Sequence, residues 1–422
     1  MKISIIGAGY VGLVTGVCFA DMGHEIICVD VDQEKVDKIN KGIAPIHEEN
    51  LSEMLKRNKE RLTATTDYSV ALSQSDITFL CVGTPSRSDG SIDLSYIEEA
   101  TRFIGQLIKK WHLVVVKSTV VPGTTRDIIT PLLEKVSGKK EGKDFSVAMN
   151  PEFLREGKAI HDFQYPDRIV IGTRDKKSND LLKKIYKGIN SPIFTVNPTV
   201  AEMIKYTSNA LLSTKISFAN EIGNVCKKVG IDVYDVMEAV GMDHRISPHF
   251  LQAGAGFGGS CFPKDVAALV SFGSNKGLKM FLLDAVMNVN DTQPLKMIEL
   301  LEKHVPHIKD KKIAVLGLAF KPDTDDIRES RSIPLIQELL DKGAEVSAFD
   351  PIASGNMKKV FPHINYPSSV AETLQDAMGC LILTEWEEFS HIDFSPMQKP
   401  VVIDGRHIIT SQNDIIYEGL CW

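Results

Sequence analysis

Residues 7–12 of this 422-residue chain read Gly7-Ala8-Gly9-Tyr10-Val11-Gly12, directly after the apolar run Ile3–Ile6. A strand, a glycine turn and a helix opening on that turn constrain the fold more than any other feature of the sequence. Gly7 permits the tight turn, Gly9 lets the backbone approach a pyrophosphate, and Gly12 permits close helix–strand packing. The helix N-terminus attracts the anion. Asp30 ends the next apolar run, close to the expected offset of about 20 residues. Its carboxylate suits ribose hydroxyls and repels a 2′-phosphate, favouring NAD over NADP. Together the three features argue against an ordinary glycine-rich turn.

The length predicts two or three domains. A hydrophobic fraction of 43% and a charged fraction of 24% are those of a soluble protein with ample core. The net charge of −7 is spread along the chain and gives no sign of nucleic-acid or membrane attraction. An anionic ligand must therefore be held by local lysines and arginines. No apolar run reaches the ~20 residues of a bilayer span, and the N-terminus enters a strand without a leader pattern, so a cytoplasmic location is expected. Seven scattered cysteines without CxxC pairs fit reduced thiols and give no zinc-ligand spacing, so no metal is expected.

Strands are expected at Lys2–Ile6, Glu25–Asp30, Ile77–Val82, Leu113–Lys117 and Ser146–Met149, with helical patterns between them. Such alternation predicts a parallel sheet covered on both faces. From Thr199 to about Lys228 there is no proline, and Val200, Met203, Ile204, Leu211, Leu212, Ile216, Ile222 and Val225 recur at helical spacing. Thr199 with Glu202 reads as a capping box, and Gly230 is placed to stop the helix. A helix this long, apolar on more than one side, suits a dimer core. Lys312–Leu316, a helix near Ser332, Glu345–Asp350, Leu381–Thr384 and Val401–Asp404 restart the alternation. The expected fold is α/β, two Rossmann-like doubly wound domains joined by a long central helix. Its parts are residues 1–198 for NAD, 199–300 for dimerisation and the thiol, and 301–422 for the substrate nucleotide. Gly317-Leu318-Ala319-Phe320 lacks the full fingerprint of a second NAD site.

Cys261 lies in Gly256-Phe257-Gly258-Gly259-Ser260-Cys261-Phe262-Pro263-Lys264-Asp265. A free cysteine is usually a small buried hydrophobe. The flanking glycines and the polar Ser260, Lys264 and Asp265 favour a nucleophile instead, since a nearby cation populates the thiolate. The other six cysteines sit in apolar or unremarkable settings. Lys205 and Asn209, four apart on the long helix, share a face and either stabilise an oxyanion or are simply solvated. Asn150-Pro151-Glu152-Phe153-Leu154-Arg155-Glu156-Gly157 reads as a helix cap, an N1 proline and one turn. Glu152 and Glu156 would then share a face, as dipole partners or as a general base and a ligand contact.

These blocks resemble the UDP-glucose/GDP-mannose dehydrogenase family over essentially the whole chain. The match also includes Val82-Gly83-Thr84-Pro85 with Asp89-Gly90, Lys117-Ser118-Thr119-Val120, Phe250-Leu251 onward, Phe320-Lys321-Pro322-Asp323-Thr324-Asp325-Asp326-Ile327-Arg328-Glu329-Ser330 and Asp404-Gly405-Arg406. The resemblance implies four-electron oxidation of a nucleotide sugar's C6 alcohol to a carboxylate, with two NAD. It gives Cys261 a thiohemiacetal and then a thioester, and Lys205 and Asn209 the oxygen charge. Asp265 and Thr119 would hold and activate water, with Glu152 a base in the hydrolysis. For NAD it adds Tyr10, Val11, Lys35, Thr84, Thr119, Glu156, Lys264 and Arg328 to Gly7, Gly9, Gly12 and Asp30. For the sugar nucleotide it adds Phe153, Leu154, Glu156, Lys205, Asn209, Phe250, Leu251, Gln252, Ala253, Gly254, Gly258, Lys321 and Arg406. Arg245 resembles an arginine lent to the partner's site in family dimers.

Many relatives carry Glu-Pro-Gly-Leu where this chain has Glu48-Glu49-Asn50-Leu51, a region expected to lie away from the chemistry. His244 and Ser247 also depart from the commoner residues beside the arginine. Ser260, Phe262 and Lys264 favour UDP-glucose as substrate over GDP-mannose or UDP-N-acetyl sugars. Two other readings remain: a two-electron dehydrogenase using Lys205 and Asn209 without Cys261, and an NAD-binding regulatory protein.

Overall fold

The structure is a computed structural model and describes residues 1–409 and 414–422. It divides into two compact units, Met1–Ser208 and Asn209–Trp422. In the first unit, β1 (Lys2–Ile6), β2 (Glu25–Val29), β3 (Leu62–Thr65), β4 (Ile77–Leu80), β5 (His112–Val116), β6 (Phe145–Met149), β7 (Ile169–Gly172) and β8 (Ile193–Val196) form one sheet. Its order is β3-β2-β1-β4-β5-β6-β7-β8. Neighbours run parallel except β6 and β7, which meet antiparallel at Met149 and Gly172. The central strands are near-continuous apolar runs because both faces are buried: Ile3, Ile5, Phe19 and Phe79 pack on one side, Ile6, Leu80, Ile104 and Val116 on the other. The strand order reverses between β1 and β4, which makes the carboxyl ends of those strands the place for a ligand.

The second unit holds β9 (Lys312–Leu316), β10 (Glu345–Phe349), β11 (Gly379–Ile382), β12 (Val401–Asp404) and β13 (Ile416–Gly419), all parallel, in the order β10-β9-β11-β12-β13. The expected doubly wound sheets are therefore present. β11 begins two residues before the expected Leu381. Strands β3, β7, β8 and β13, of four residues each, are not among the expected ones. β3 and β8 are only partly buried, so neither shows the continuous apolar run that marks β4.

The long helix spans Pro198–Val229, 32 residues, and the division between the units falls inside it. Its start corrects the capping-box expectation. The Asn197 side chain, not Thr199, caps it, accepting from the Thr199 N–H at 3.0 Å. Glu202 instead accepts from the N–H groups of Gly123 and Thr125, capping a different turn. The helix stops at Gly230, whose φ of +75° suits glycine. Val200, Met203, Leu211, Phe218, Val225 and Val229 lie 38 to 63% exposed along one stripe of it. Among the described residues, no helix is long and apolar enough to cross a membrane.

Candidate active site

In the first unit the turn after β1 behaves as its glycines demand. A Cβ on Gly12 would meet the Gly7 carbonyl oxygen at 1.8 Å, whereas a Cβ on Gly9 would meet nothing within 4 Å. Gly9 caps helix Tyr10–Asp21 without a side-chain hydrogen bond. The first-turn N–H groups of Tyr10, Val11 and Gly12 thus have no helical partner, and an open cradle lies beside them. Asp30, partly exposed after β2, accepts from the Ala8 N–H at 2.8 Å through Oδ2 and from the Asp32 N–H through Oδ1. It both holds the turn and keeps carboxylate surface for a ribose. Lys35 follows in the first turn of helix Gln33–Asn40. Thr84 and Thr119 sit on the loops after β4 and β5, which Ser118 ties together by donating to the Val82 carbonyl at 2.7 Å. The cradle, the acidic residue and the helix end fit a dinucleotide.

The segment after β6 overturns the reading of Asn150–Gly157 as a capped helical turn. Residues 151–155 form no helix or strand, and the next helix is Ala159–Gln164. The Asn150 side chain is spent on tertiary partners: its Nδ2 donates to the Val170 carbonyl, and its Oδ1 accepts from Lys117 Nζ at 3.2 Å. Glu152 and Glu156 therefore share no helical face. Glu152 is buried and pairs with buried Lys205 at 2.8 Å, while accepting from the Leu154 N–H at 2.6 Å. Burial alone would raise the Glu152 carboxyl, but Lys205, the Leu154 N–H and Lys117 together hold it below the usual range. Burial pushes Lys117 down to about 8. Phe153 stacks under the Arg168 guanidinium, 4.0 Å from its ring centre, and Glu156 lies in the turn before Gly157.

In the second unit Cys261 is partly exposed at the N-terminus of helix Phe262–Ser274, while the other six cysteines are buried. Burial raises the thiols of Cys18, Cys28, Cys81, Cys380 and Cys421, which suits inert core residues. Ser260 Oγ lies 3.6 Å from the Cys261 sulfur. Asp265, one turn into the helix and 1% exposed, receives Asn209 Nδ2 at 2.7 Å and Lys264 Nζ at 2.6 Å. Asn209 and Lys205, one turn apart on the long helix, are both buried, so neither belongs to a solvated face.

The chain from Phe250 to Gly258 is pinned from several sides. Asn220 accepts from the Gly254 N–H, Asn290 from the Phe257 N–H, and the Gly405 carbonyl from the Ala255 N–H. Leu251 and Ala253 are buried and Gln252 is exposed. Arg406 joins this segment, donating to the Gly256 carbonyl at 3.1 Å and to the Leu383 carbonyl. Buried Asp404 shapes the turn that presents it, accepting from the Arg406, Ile408 and Ile409 N–H groups. Lys321 and Arg328 lie on the loop between β9 and helix Ser332–Asp341, Lys321 over the Phe320 ring and Arg328 paired with Asp326. Exposed Arg245 forks onto Asp243.

Asn220, Asn290, Lys117 and Glu48 carry parts of this architecture that sequence reasoning passed over. A signal existed for Asn220, a polar residue among apolar helix positions. Glu48 corrects an expectation: its carboxylate accepts from the Tyr10 hydroxyl and the Ile160 N–H, so the Glu48–Leu51 region does not lie apart from the site segments.

Family models of the UDP-glucose/GDP-mannose dehydrogenase family match in order: the NAD binding domain over residues 1–190, the central domain over 199–292 and the UDP binding domain over 314–411. The chain is 47% identical to the UDP-glucose 6-dehydrogenase AglM of Haloferax volcanii, covering 100% of both. It is 43% identical to the UDP-glucose 6-dehydrogenase YwqF of Bacillus subtilis, over 97% of this chain and 94% of the relative. A solved UDP-glucose dehydrogenase from Pyrobaculum islandicum superposes with a TM-score of 0.96 at 43% identity, covering 100% of this chain and 97% of that one. With matched domains along its length and full-length relatives at such identity, the chain belongs to the UDP-glucose/GDP-mannose dehydrogenase family.

Proposed function

We propose that the protein oxidises the C6 alcohol of UDP-glucose to the carboxylate of UDP-glucuronate with two NAD. The observation that carries this reading is the partly exposed Cys261 at a helix N-terminus beside Asp265, itself bonded to Asn209. A two-electron alcohol dehydrogenase has no use for such a thiol. When bound, NAD supplies the hydride acceptor, one molecule for each oxidation.

The residues divide the remaining work. The cradle at Gly7, Gly9, Tyr10, Val11 and Gly12 and the carboxylate of Asp30 hold the dinucleotide, with Lys35, Thr84, Thr119, Glu156, Lys264 and Arg328 around it. Lys205 and Asn209 donate to the C6 oxygen as negative charge develops on it. The first oxidation breaks the C6–H bond, losing a hydride, and the O–H bond, losing its proton to solvent, and leaves an aldehyde. The Cys261 sulfur then adds to the aldehyde carbon, forming a C–S bond while its own proton passes to the carbonyl oxygen. Loss of a second hydride and that proton leaves a thioester. Glu152, held ionised, takes a proton from the water that attacks the thioester; the C–S bond breaks and the thiol returns. Asp265 and Thr119 orient that water. A helix N-terminus beside the sulfur favours negative charge there.

The diphosphate requires cations on a chain of net charge −7, and Lys321 and Arg406 on the second unit supply them. Phe153, Leu154 and the Phe250–Gly258 segment line the sugar and base. Ser260, Phe262 and Lys264 support UDP-glucose. The domain boundaries at 198–199 and 300–301 follow this division of labour. The exposed apolar stripe on helix Pro198–Val229 supports a homodimer through that helix, with Arg245 offered to the partner. Seven unpaired cysteines are in keeping with a reducing cytoplasm.

The test is NADH released per sugar consumed, with UDP-glucose, GDP-mannose and UDP-N-acetylmannosamine run side by side. Two NADH per UDP-glucose is the expected result. One NADH per sugar would make this a two-electron dehydrogenase, and turnover only with another sugar would keep the chemistry and correct the substrate.

A further inference from the structure

Glu48 is a buried carboxylate, 8% exposed, in the loop before helix Leu51–Arg57. It accepts from the backbone N–H of Ile160 at 3.1 Å and from the Tyr10 hydroxyl. That hydroxyl in turn accepts from the backbone N–H of Gly157. A phenol from the first residue of the dinucleotide helix and a carboxylate from a distant loop thus hold two backbone donors at one end of the segment bearing Glu152 and Glu156. The other end is fixed at Asn150 by Lys117 and the Val170 carbonyl. Glu152 lies between the two anchors.

Two further details fit this arrangement. Asn50 adopts φ of +63° at the helix cap, a left-handed conformation that asparagine tolerates better than most residues. The Leu51 N–H then donates to the Glu48 carbonyl at 3.3 Å. The turn therefore keeps Glu48 in place with asparagine in the left-handed position. Burial, and next the hydrogen bond to Glu48, push the Tyr10 phenol well above its ordinary range, so it stays a donor to the carboxylate.

We infer that Tyr10 and Glu48 are a positioning pair that couples the dinucleotide turn to the Glu152 segment, setting the placement of the base without touching the sugar. The inference builds on the dehydrogenase reading and deepens it. A Tyr10 backbone fixed by bound pyrophosphate fixes the hydroxyl, and through it Gly157 and Ile160. The pair therefore acts on turnover more than on NAD affinity.

The experiment is steady-state kinetics and direct NAD titration of Tyr10→Phe, Glu48→Ala, Glu48→Gln and the Tyr10→Phe/Glu48→Ala double variant. Tyr10→Phe and Glu48→Ala are expected to lower kcat at least tenfold while the NAD Kd stays within threefold. The double variant should be no slower than the slower single variant, because one network is broken twice. Glu48→Gln, which still accepts from Ile160, should recover most of the loss. A kcat within twofold of wild type for both single variants, or losses that multiply in the double, would overturn the inference. If Glu48→Ala does not fold, Tyr10→Phe, which removes a single oxygen, decides alone. A wild-type chain inert towards every nucleotide sugar would sink the dehydrogenase reading first, and that result is visible before any variant is made.

Discussion

The turns that open the two sheets share a backbone plan and differ in what they leave free. In the first, the Gly7 N–H donates to the Val29 carbonyl; in the second, the Gly317 N–H donates to the Phe349 carbonyl. Each partner strand is followed by an aspartate. Asp30 accepts two backbone donors and stays partly exposed. Asp350 is 2% exposed and takes five: the N–H groups of Leu318, Ala319, Ile352 and Ala353, and the Trp386 indole. After Gly7 a helix begins at once, with its first-turn donors beside an open cradle. After Gly317, residues 318–331 precede the next helix, and the Leu318 and Ala319 N–H groups that follow the turn are already taken by Asp350. A Rossmann-like start is therefore not itself a dinucleotide site; unsatisfied donors and a half-free carboxylate make it one.

The sharpest way to break this contrast is Asp350→Ala. It orphans five donors, four of them backbone, and should cost about 3–5 kcal/mol of stability in urea titration. NAD affinity of the folded fraction should be unchanged; a loss under about 1 kcal/mol would contradict the structural role given to Asp350. Acid should then separate the sheets. Burial lowers His112 of β5 from 6.5 to about 4, and it contacts Thr78 Oγ1 at 2.7 Å, whereas no strand of the second sheet contains histidine. As pH falls the unfolded chain binds the proton first, so this contribution is complete above pH 6.5 and lost on the way to pH 4. The expected loss is about 3 kcal/mol, flattened in His112→Gln.

Asp30→Ala should weaken NAD binding about 10- to 100-fold with little change in melting, and narrow the preference against NADP. Equal thermal damage from Asp30→Ala and Asp350→Ala would erase the distinction between them. The smallest effect concerns Lys117, whose amine is lowered to about 8 by burial. Below pH 8 both states carry the proton and the folded state bears the full cost, relieved as pH rises towards the unfolded value of about 10.4. Lys117→Met should therefore stabilise the fold at pH 7 by about 1–2 kcal/mol, measured by urea titration, while kcat falls through the Asn150 anchor.

Much of the fold was legible because its signals are local. The turn at Gly7–Gly12, the spacing to Asp30 and the apolar runs of β1, β4, β5 and β9 each fall within a short window. The pairing of Lys205 with Asn209 followed from helical spacing. What escaped depends on distant partners. Asn150 resembles a helix cap until Lys117 and Val170 claim its side chain. Glu202 resembles half of a capping box until Gly123 and Thr125 take its carboxylate. Glu48 meets Ile160 across 112 residues, and nothing near it in sequence announces that bond.

The most direct test of the chemistry is to quench the enzyme with acid during UDP-glucose turnover and weigh the Cys261 peptide. A uronyl thioester on Cys261, released by hydroxylamine and absent in Cys261→Ala together with the second NADH, is the predicted result. Two NADH per sugar with no adduct, and undiminished in Cys261→Ala, would contradict it.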